Sequence, residues 1–168
     1  MTELYLGLMS GTSMDGVDTA LCEMRNRRFL RVVGSQSQPY GAGLRDELLE
    51  LQRKKPALTL ETLARIDHAV ARTFADAAIA LLREVGLTPS EVKALGSHGQ
   101  TVFHDPSGVH SSLQLGDPSL IAALTGITLL AWGYIVHEAR AMYDTGVCCC
   151  AGMKMSGPDT SPWDAGTL

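Results

Sequence analysis

Leu4-Tyr5-Leu6-Gly7-Leu8-Met9-Ser10-Gly11-Thr12-Ser13-Met14-Asp15-Gly16-Val17-Asp18 begins as an apolar, strand-like run and ends in a turn of glycine, hydroxyl and carboxylate residues. A second strand-like run, Val17 to Met24, follows at once. The pattern is that of a β-hairpin with small hydroxyl residues and two carboxylates at its tip. Such a tip can bring backbone N–H groups and hydroxyls up to phosphate oxygens. Asp15 or Asp18 is a candidate Mg²⁺ ligand, directly or through water, because Mg²⁺ favours hard oxygen donors and retains several waters. An isolated G-x-S-x-D-G would read as a polar turn with no ligand; its length and its place near residue 1 favour a binding role here.

Two common nucleotide motifs are excluded. No Gly-Lys-Ser/Thr follows, so this is not a Walker loop. A strand rather than a helix follows the glycines, so it is not the dinucleotide fingerprint. A phosphate-gripping hairpin is the pattern of the sugar kinase, Hsp70 and actin superfamily. Within it, Gly7 to Asp18 closely resembles the start of the anhydro-N-acetylmuramic acid kinases. Two further blocks resemble the same family in the same order. They are Gly96-Ser97-His98-Gly99-Gln100-Thr101-Val102-Phe103-His104 and Ser112-Leu113-Gln114-Leu115-Gly116-Asp117-Pro118-Ser119-Leu120-Ile121-Ala122, the latter continuing to Thr125-Gly126-Ile127-Thr128. The resemblance covers residues 1–131 and then stops.

Composition agrees with a globular protein carrying one substantial core or one large lobe in 168 residues. The net charge of −4 offers no basic stripe for nucleic acid or an anionic membrane. No run is apolar for long enough to suggest a spanning helix, and the first residues lack the pattern of a signal peptide. The expected location is cytoplasmic. Of the four cysteines, Cys22 is expected in the core. Cys148, Cys149 and Cys150 are adjacent, which is a poor zinc pattern, and receive no role.

Strands are expected at Leu4–Ser10, Val17–Met24 and Phe29–Ser37, forming an antiparallel meander. Apolar spacing predicts a short helix over Leu44–Arg53 and a longer one over Leu60–Val85. Thr59 is the expected N-cap of the second, and Gly86 with Pro89 its stop. His68 on that helix reads as solvated or internally satisfied. Val92–Ser97 reads as a buried strand, with Gly99-Gln100-Thr101 as its C-terminal loop. Asp105-Pro106-Ser107-Gly108 is a turn signal, and His104 reads as part of it. A short strand, Ser111–Leu115, and a helix opening at Asp117-Pro118 and running to Leu124 come next. Ile127–Ala131 is a last strand. The expected fold is therefore α/β: a sugar-kinase/actin-like (ribonuclease H-like) lobe over 1–131. Its mixed sheet opens with the three-strand meander and is flanked by helices.

The resemblance implies an ATP- and Mg²⁺-dependent kinase of 1,6-anhydro-N-acetylmuramic acid. Such an enzyme opens the anhydro ring by hydrolysis and phosphorylates O6, in peptidoglycan and amino-sugar recycling. It implies that Gly11, Thr12, Ser13, Met14, Asp15, Gly16, Val17 and Asp18 line the ATP phosphates. Ser97, His98, Gln100 and Asp117 are the candidates for the sugar side, since they offer hydroxyl, imidazole, amide and carboxylate groups. Each also has a structural reading. Asp117 can be a helix cap only, and His98 can bond a backbone carbonyl.

After Ala131 the family pattern breaks. The family continues into Asp-Phe-Arg, its Asp acting as general base toward the attacking water. This chain reads Trp132-Gly133-Tyr134-Ile135-Val136-His137-Glu138 instead. Residues 132–168 read as a divergent tail, loosely packed or out of frame. The expectation is a shortened chain with little or no turnover, because both that Asp and the second lobe are missing. The alternative is a non-catalytic lobe that binds nucleotide or sugar, or associates with itself or a partner through an uncovered apolar face.

Overall fold

The computed structural model describes residues 2–105, 107–108 and 110–129. The expected role of the tail, the cysteine triplet and the end of the last strand lie outside the described residues.

The hairpin forms as the alternation predicts. Strand β1 (Thr2–Ser10) pairs antiparallel with β2 (Gly16–Arg25), placing Leu6 opposite Leu21, Leu8 opposite Thr19 and Met9 opposite Asp18. Leu6, Leu8 and Ser10 are buried, while the intervening Gly7 and Met9 are exposed, so one face of the sheet turns to the core. Strand β3 (Arg28–Pro39) completes the meander at the sheet edge. Cys22 is only half-buried, on the face shared with Tyr5 and Val32 rather than in the main core.

Two helices follow. The first, α1 (Ala42–Lys54), ends at Lys55 in the left-handed conformation. The second, α2 (Leu60–Glu84), is capped by Thr59, whose hydroxyl accepts from the Thr62 amide at 3.2 Å. Its stop is a Schellman turn: Gly86 has φ +73°, and the Leu87 amide returns to the Leu82 carbonyl. The apolar stripe Ile66, Val70, Phe74, Ala77, Ala78, Leu81 and Leu82 is buried against the sheet. At one end α2 lies on Gly34 of β3, where an added Cβ would stand 2.6 Å from Val85 Cγ1. Toward its other end Val70 packs against Gly116. The helix therefore spans the sheet from edge to edge.

Strand β4 (Val92–Asp105) is twice as long as the sequence suggests. It runs parallel to β1 from Val92 through Ser97, bulges, and pairs Gln100 with Ser10. From Gln100 onward it also pairs antiparallel with β5 (Ser111–Leu115). Gly99, expected to end the strand, instead takes φ +70° and re-aims it, after which β4 finds a new partner. Gln100 and Thr101 are thus strand residues rather than loop residues. His104 is also within β4, its Nδ1 lying 2.6 Å from Ser112 Oγ across the ladder. The Asp105 carboxylate caps the following turn by accepting from the Ser107 and Gly108 amides. Helix α3 (Pro118–Thr125) returns against α2. Beyond it Leu129 bridges in parallel to Leu95.

The sheet order is β3-β2-β1-β4-β5: mixed, opened by an antiparallel meander, with the parallel β4 added beside β1 after the helical crossover. This is the expected α/β class. Among the described residues no helix is long and apolar enough to cross a membrane.

Candidate functional site

Ser10, Gln100 and Leu115 are successive partners across three strands, so they form one row of the sheet. The hairpin tip (residues 11–15) departs from one end of this row, and the β5–α3 junction departs from the other. Gly116 lies beside Gly99: a Cβ on Gly116 would come within 3.9 Å of the Gly99 Cα. The structure thereby gathers the tip, the β4 bulge and Asp117 along one end of the sheet.

The tip is a tight turn closed by the Met14 amide on the Gly11 carbonyl at 3.2 Å. Met14 takes φ 55°, which turns its side chain into the core, where it is fully buried. Val17 is also fully buried. These two can contribute backbone only. Gly16 answers to the protein itself, because an added Cβ would collide with the Gln38 carbonyl and stand 2.9 Å from Pro39 Cα. Gly11 is different. Its nearest neighbour for an added Cβ is Ser13 Oγ at 3.6 Å, an ordinary contact, so nothing within the described residues requires glycine there. Thr12 and Ser13 are exposed and make no hydrogen bond of their own among the described residues. A glycine free of internal demand, followed by two outward hydroxyl residues with free N–H groups, fits a polyphosphate cradle.

Arg45 of α1 holds the tip from outside. Its Nε donates to the Met14 carbonyl and its Nη2 to Asp15 Oδ1, both at 3.1 Å. The Asp15–Arg45 pair is exposed and therefore weak. Asp18 is exposed on β2. Only Asp15 lies in the tip itself, while Asp18 stands in the ladder opposite Met9; both are exposed carboxylates of the kind Mg²⁺ takes through its water shell. Among the described residues no group of three His, Cys, Asp or Glu side chains forms a metal cluster.

On the β4 side the candidates separate. His98 is exposed, with Nδ1 3.4 Å from the Gly99 carbonyl oxygen. Ser97 Oγ accepts from the Gly99 amide at 3.3 Å. Asp117 caps α3, accepting from the Ser119 amide at 2.8 Å. Gln100 is fully buried. Its Nε2 donates to the carbonyls of Gly11 (3.2 Å) and Thr101 (3.1 Å), while its Oε1 faces Ser10 Oγ (2.6 Å) and Tyr40 Oη (3.2 Å). Both Nε2 protons are used inside the protein and Oε1 is enclosed by the Ser10 and Tyr40 hydroxyls, so in this structure the buried Gln100 offers nothing to a sugar.

Three residues with roles at the site carry no sequence signal of their own. Arg45 is one. Tyr40, buried at the end of β3, is another: burial pushes its hydroxyl up to about 12, with the hydrogen bond to Ser10 acting in the opposite direction. Asp67 of α2 is the third, its carboxylate accepting from the Gly116 amide at 2.7 Å and fixing the junction that presents Asp117.

Comparison with known proteins gives the family. The family model described as anhydro-N-acetylmuramic acid kinase matches residues 3–132. The anhydro-N-acetylmuramic acid kinase of Photobacterium profundum is 45% identical over 130 residues, which are 77% of this chain and 34% of that protein. That of Vibrio parahaemolyticus is 42% identical over 130 residues, 77% of this chain and 35% of that protein. That of Legionella pneumophila is 43% identical over 129 residues, 76% of this chain and 34% of that protein. The chain thus spans about a third of the length of the curated relatives it matches. Among solved structures, YeaZ from Pseudomonas aeruginosa aligns over 86% of this chain and 50% of that one at 17% identity. Its TM-score is 0.29, too low to bear on the fold.

Proposed function

This chain belongs to the anhydro-N-acetylmuramic acid kinase family, and from that premise we propose that residues 2–129 form the phosphate-gripping lobe of an ATP-dependent sugar kinase. The observation that carries the reading is the tip, where Gly11 has room for a side chain that is not there and the exposed Thr12 and Ser13 make no hydrogen bond among the described residues. The backbone N–H groups of Thr12 and Ser13 and their hydroxyls would hold phosphate oxygens. Asp15 and Asp18 would hold Mg²⁺, most economically through its water shell. MgATP, when bound, supplies the phosphoryl group for O6 of 1,6-anhydro-N-acetylmuramic acid. Ser97, His98 and Asp117 border the same end of the sheet and are the residues proposed to meet the sugar. The setting would be peptidoglycan recycling in the cytoplasm.

Proton abstraction from the attacking water needs a carboxylate within hydrogen-bond reach. The position where the family places its Asp reads Trp132-Gly133 in this chain, and neither side chain can take that proton. The activity proposed for the chain on its own is therefore binding of MgATP, with turnover low or absent. Calorimetric titration of the purified protein with MgATP, beside an assay for ADP release in the presence of the anhydro sugar, tests both halves. Saturable MgATP binding with little ADP release is expected. No MgATP binding would remove the phosphate reading, and ADP release at a normal kinase rate would remove the claim about the base.

A further inference from the structure

We propose that Gln100 is the positioning residue of the hairpin tip, a buried brace that holds the Gly11–Asp15 backbone in its phosphate-gripping form. The proposal rests on the reading of that tip as a phosphate site.

A turn of this length is not held by the β1–β2 ladder, whose last register pair is Met9 with Asp18. Something else must fix it, and the hydrogen bonds show what does. Gly11 contributes a single carbonyl oxygen to two bonds: the Met14 amide that closes the turn and the Gln100 side-chain amide that reaches in from β4. Ser10, immediately before the tip, places its hydroxyl 2.6 Å from Gln100 Oε1 and 2.7 Å from the Gly16 carbonyl on the returning strand. Tyr40 adds its hydroxyl to the same Oε1, and its amide donates to the Asp15 carbonyl at 3.4 Å. Both ends of the tip are therefore tied to one buried amide.

The amide's orientation is fixed. Nε2 faces two carbonyls and Oε1 faces two hydroxyls, so the reverse assignment would set oxygen against oxygen twice. Only a glutamine-like head satisfies both sides. Leucine keeps the volume but takes the side-chain donor from the Gly11 and Thr101 carbonyls and the acceptor from the Tyr40 hydroxyl, leaving Ser10 only the Gly16 carbonyl. Because Gly99 turns β4 just before it, Gln100 also belongs to the strand that carries Ser97 and His98. The brace therefore joins the phosphate side of the end row to the β4 side.

Hydrogen exchange read by NMR on wild type, Gln100→Leu and Tyr40→Phe, with MgATP and Mg-tripolyphosphate titrations, decides the matter. The reporters are the Met14 and Tyr40 amides, both bonded within the tip, against amides in the Val70–Leu82 segment of α2. In Gln100→Leu the tip amides are expected to exchange about ten-fold faster than in wild type, as for one lost buried hydrogen bond, with α2 unchanged. Both ligands should bind about five-fold or more weakly. Tyr40→Phe, the milder variant, should move the same reporters in the same direction by a smaller factor, and it carries the test if Gln100→Leu does not fold. Unchanged tip exchange, or equal acceleration in tip and α2, would overturn the brace. If wild type bound neither ligand, the phosphate reading would fail, and exchange alone would then decide the brace.

Discussion

Replacing Gly99 by alanine should cost this protein far more than replacing Gly96, three residues earlier on the same strand. Gly99 takes φ +70°, a conformation that costs a side-chain-bearing residue about 1–2 kcal/mol. An added Cβ would also stand 2.7 Å from the Leu115 carbonyl oxygen and 3.3 Å from Gln114 Cβ. Neither neighbour is the far end of a flexible chain, so β5 must draw back. Each ladder bond lost between β4 and β5 is worth about 1 kcal/mol. The sum is about 3 kcal/mol, or a fall of about 6–12 °C in Tm for a chain of this size. Gly96 has φ outside the left-handed region and no atom within 4 Å of an added Cβ, so Gly96→Ala should stay within about 0.5 kcal/mol of wild type. Thermal unfolding and urea titration read both variants, with a lower midpoint and unchanged slope expected for Gly99→Ala. A Gly99→Ala protein within about 2 °C of wild type would mean that neither the left-handed backbone nor the Leu115 contact constrains this position. A Gly96→Ala protein damaged equally would mean that the loss has another source.

The remaining expectations concern single groups. Tyr40 has its folded pKa raised to about 12 from an ordinary 10, so its contribution is present below pH 10 and is lost as pH rises toward 12. Tyr40→Phe should be less stable at pH 8 yet lose less between pH 10 and 12, as urea midpoints at each pH will show. Thr59→Ala removes the hydroxyl that caps α2 and should cost about 1 kcal/mol in chemical unfolding. Asp15→Asn breaks only an exposed pair with Arg45 and should change stability by less than about 1 kcal/mol. The same variant should weaken binding of MgATP more than of metal-free ATP in calorimetric titrations.

Much of the fold can be read from local pattern. Alternation gives β1, β2 and β3, and helical spacing with Thr59 and Gly86 delimits α2, because caps and stops act within one turn of chain. Asp117 before Pro118 marks α3 for the same reason. The length of β4 is not local information. Gly99 ends a strand by propensity, but here it bulges and the strand continues, since β5 waits to pair with it. The site divides in the same way. The tip is legible because its glycine and hydroxyl residues are contiguous. Gln100 looks like a ligand group in sequence, and only the fold brings Ser10 and Tyr40, distant in the chain, onto its amide. Arg45 and Asp67 sit on amphipathic helices, where charged residues usually face water, and their partners in the tip and at Gly116 lie far along the chain.

Whether the tip grips polyphosphate can be read by mapping MgATP on the amide resonances of the purified protein. Saturating shifts confined to Gly11–Asp18 and their β4 neighbours, reproduced by Mg-tripolyphosphate and absent with adenosine, are the expected result. No saturable shift at those amides, or shifts centred elsewhere on the lobe, would contradict it.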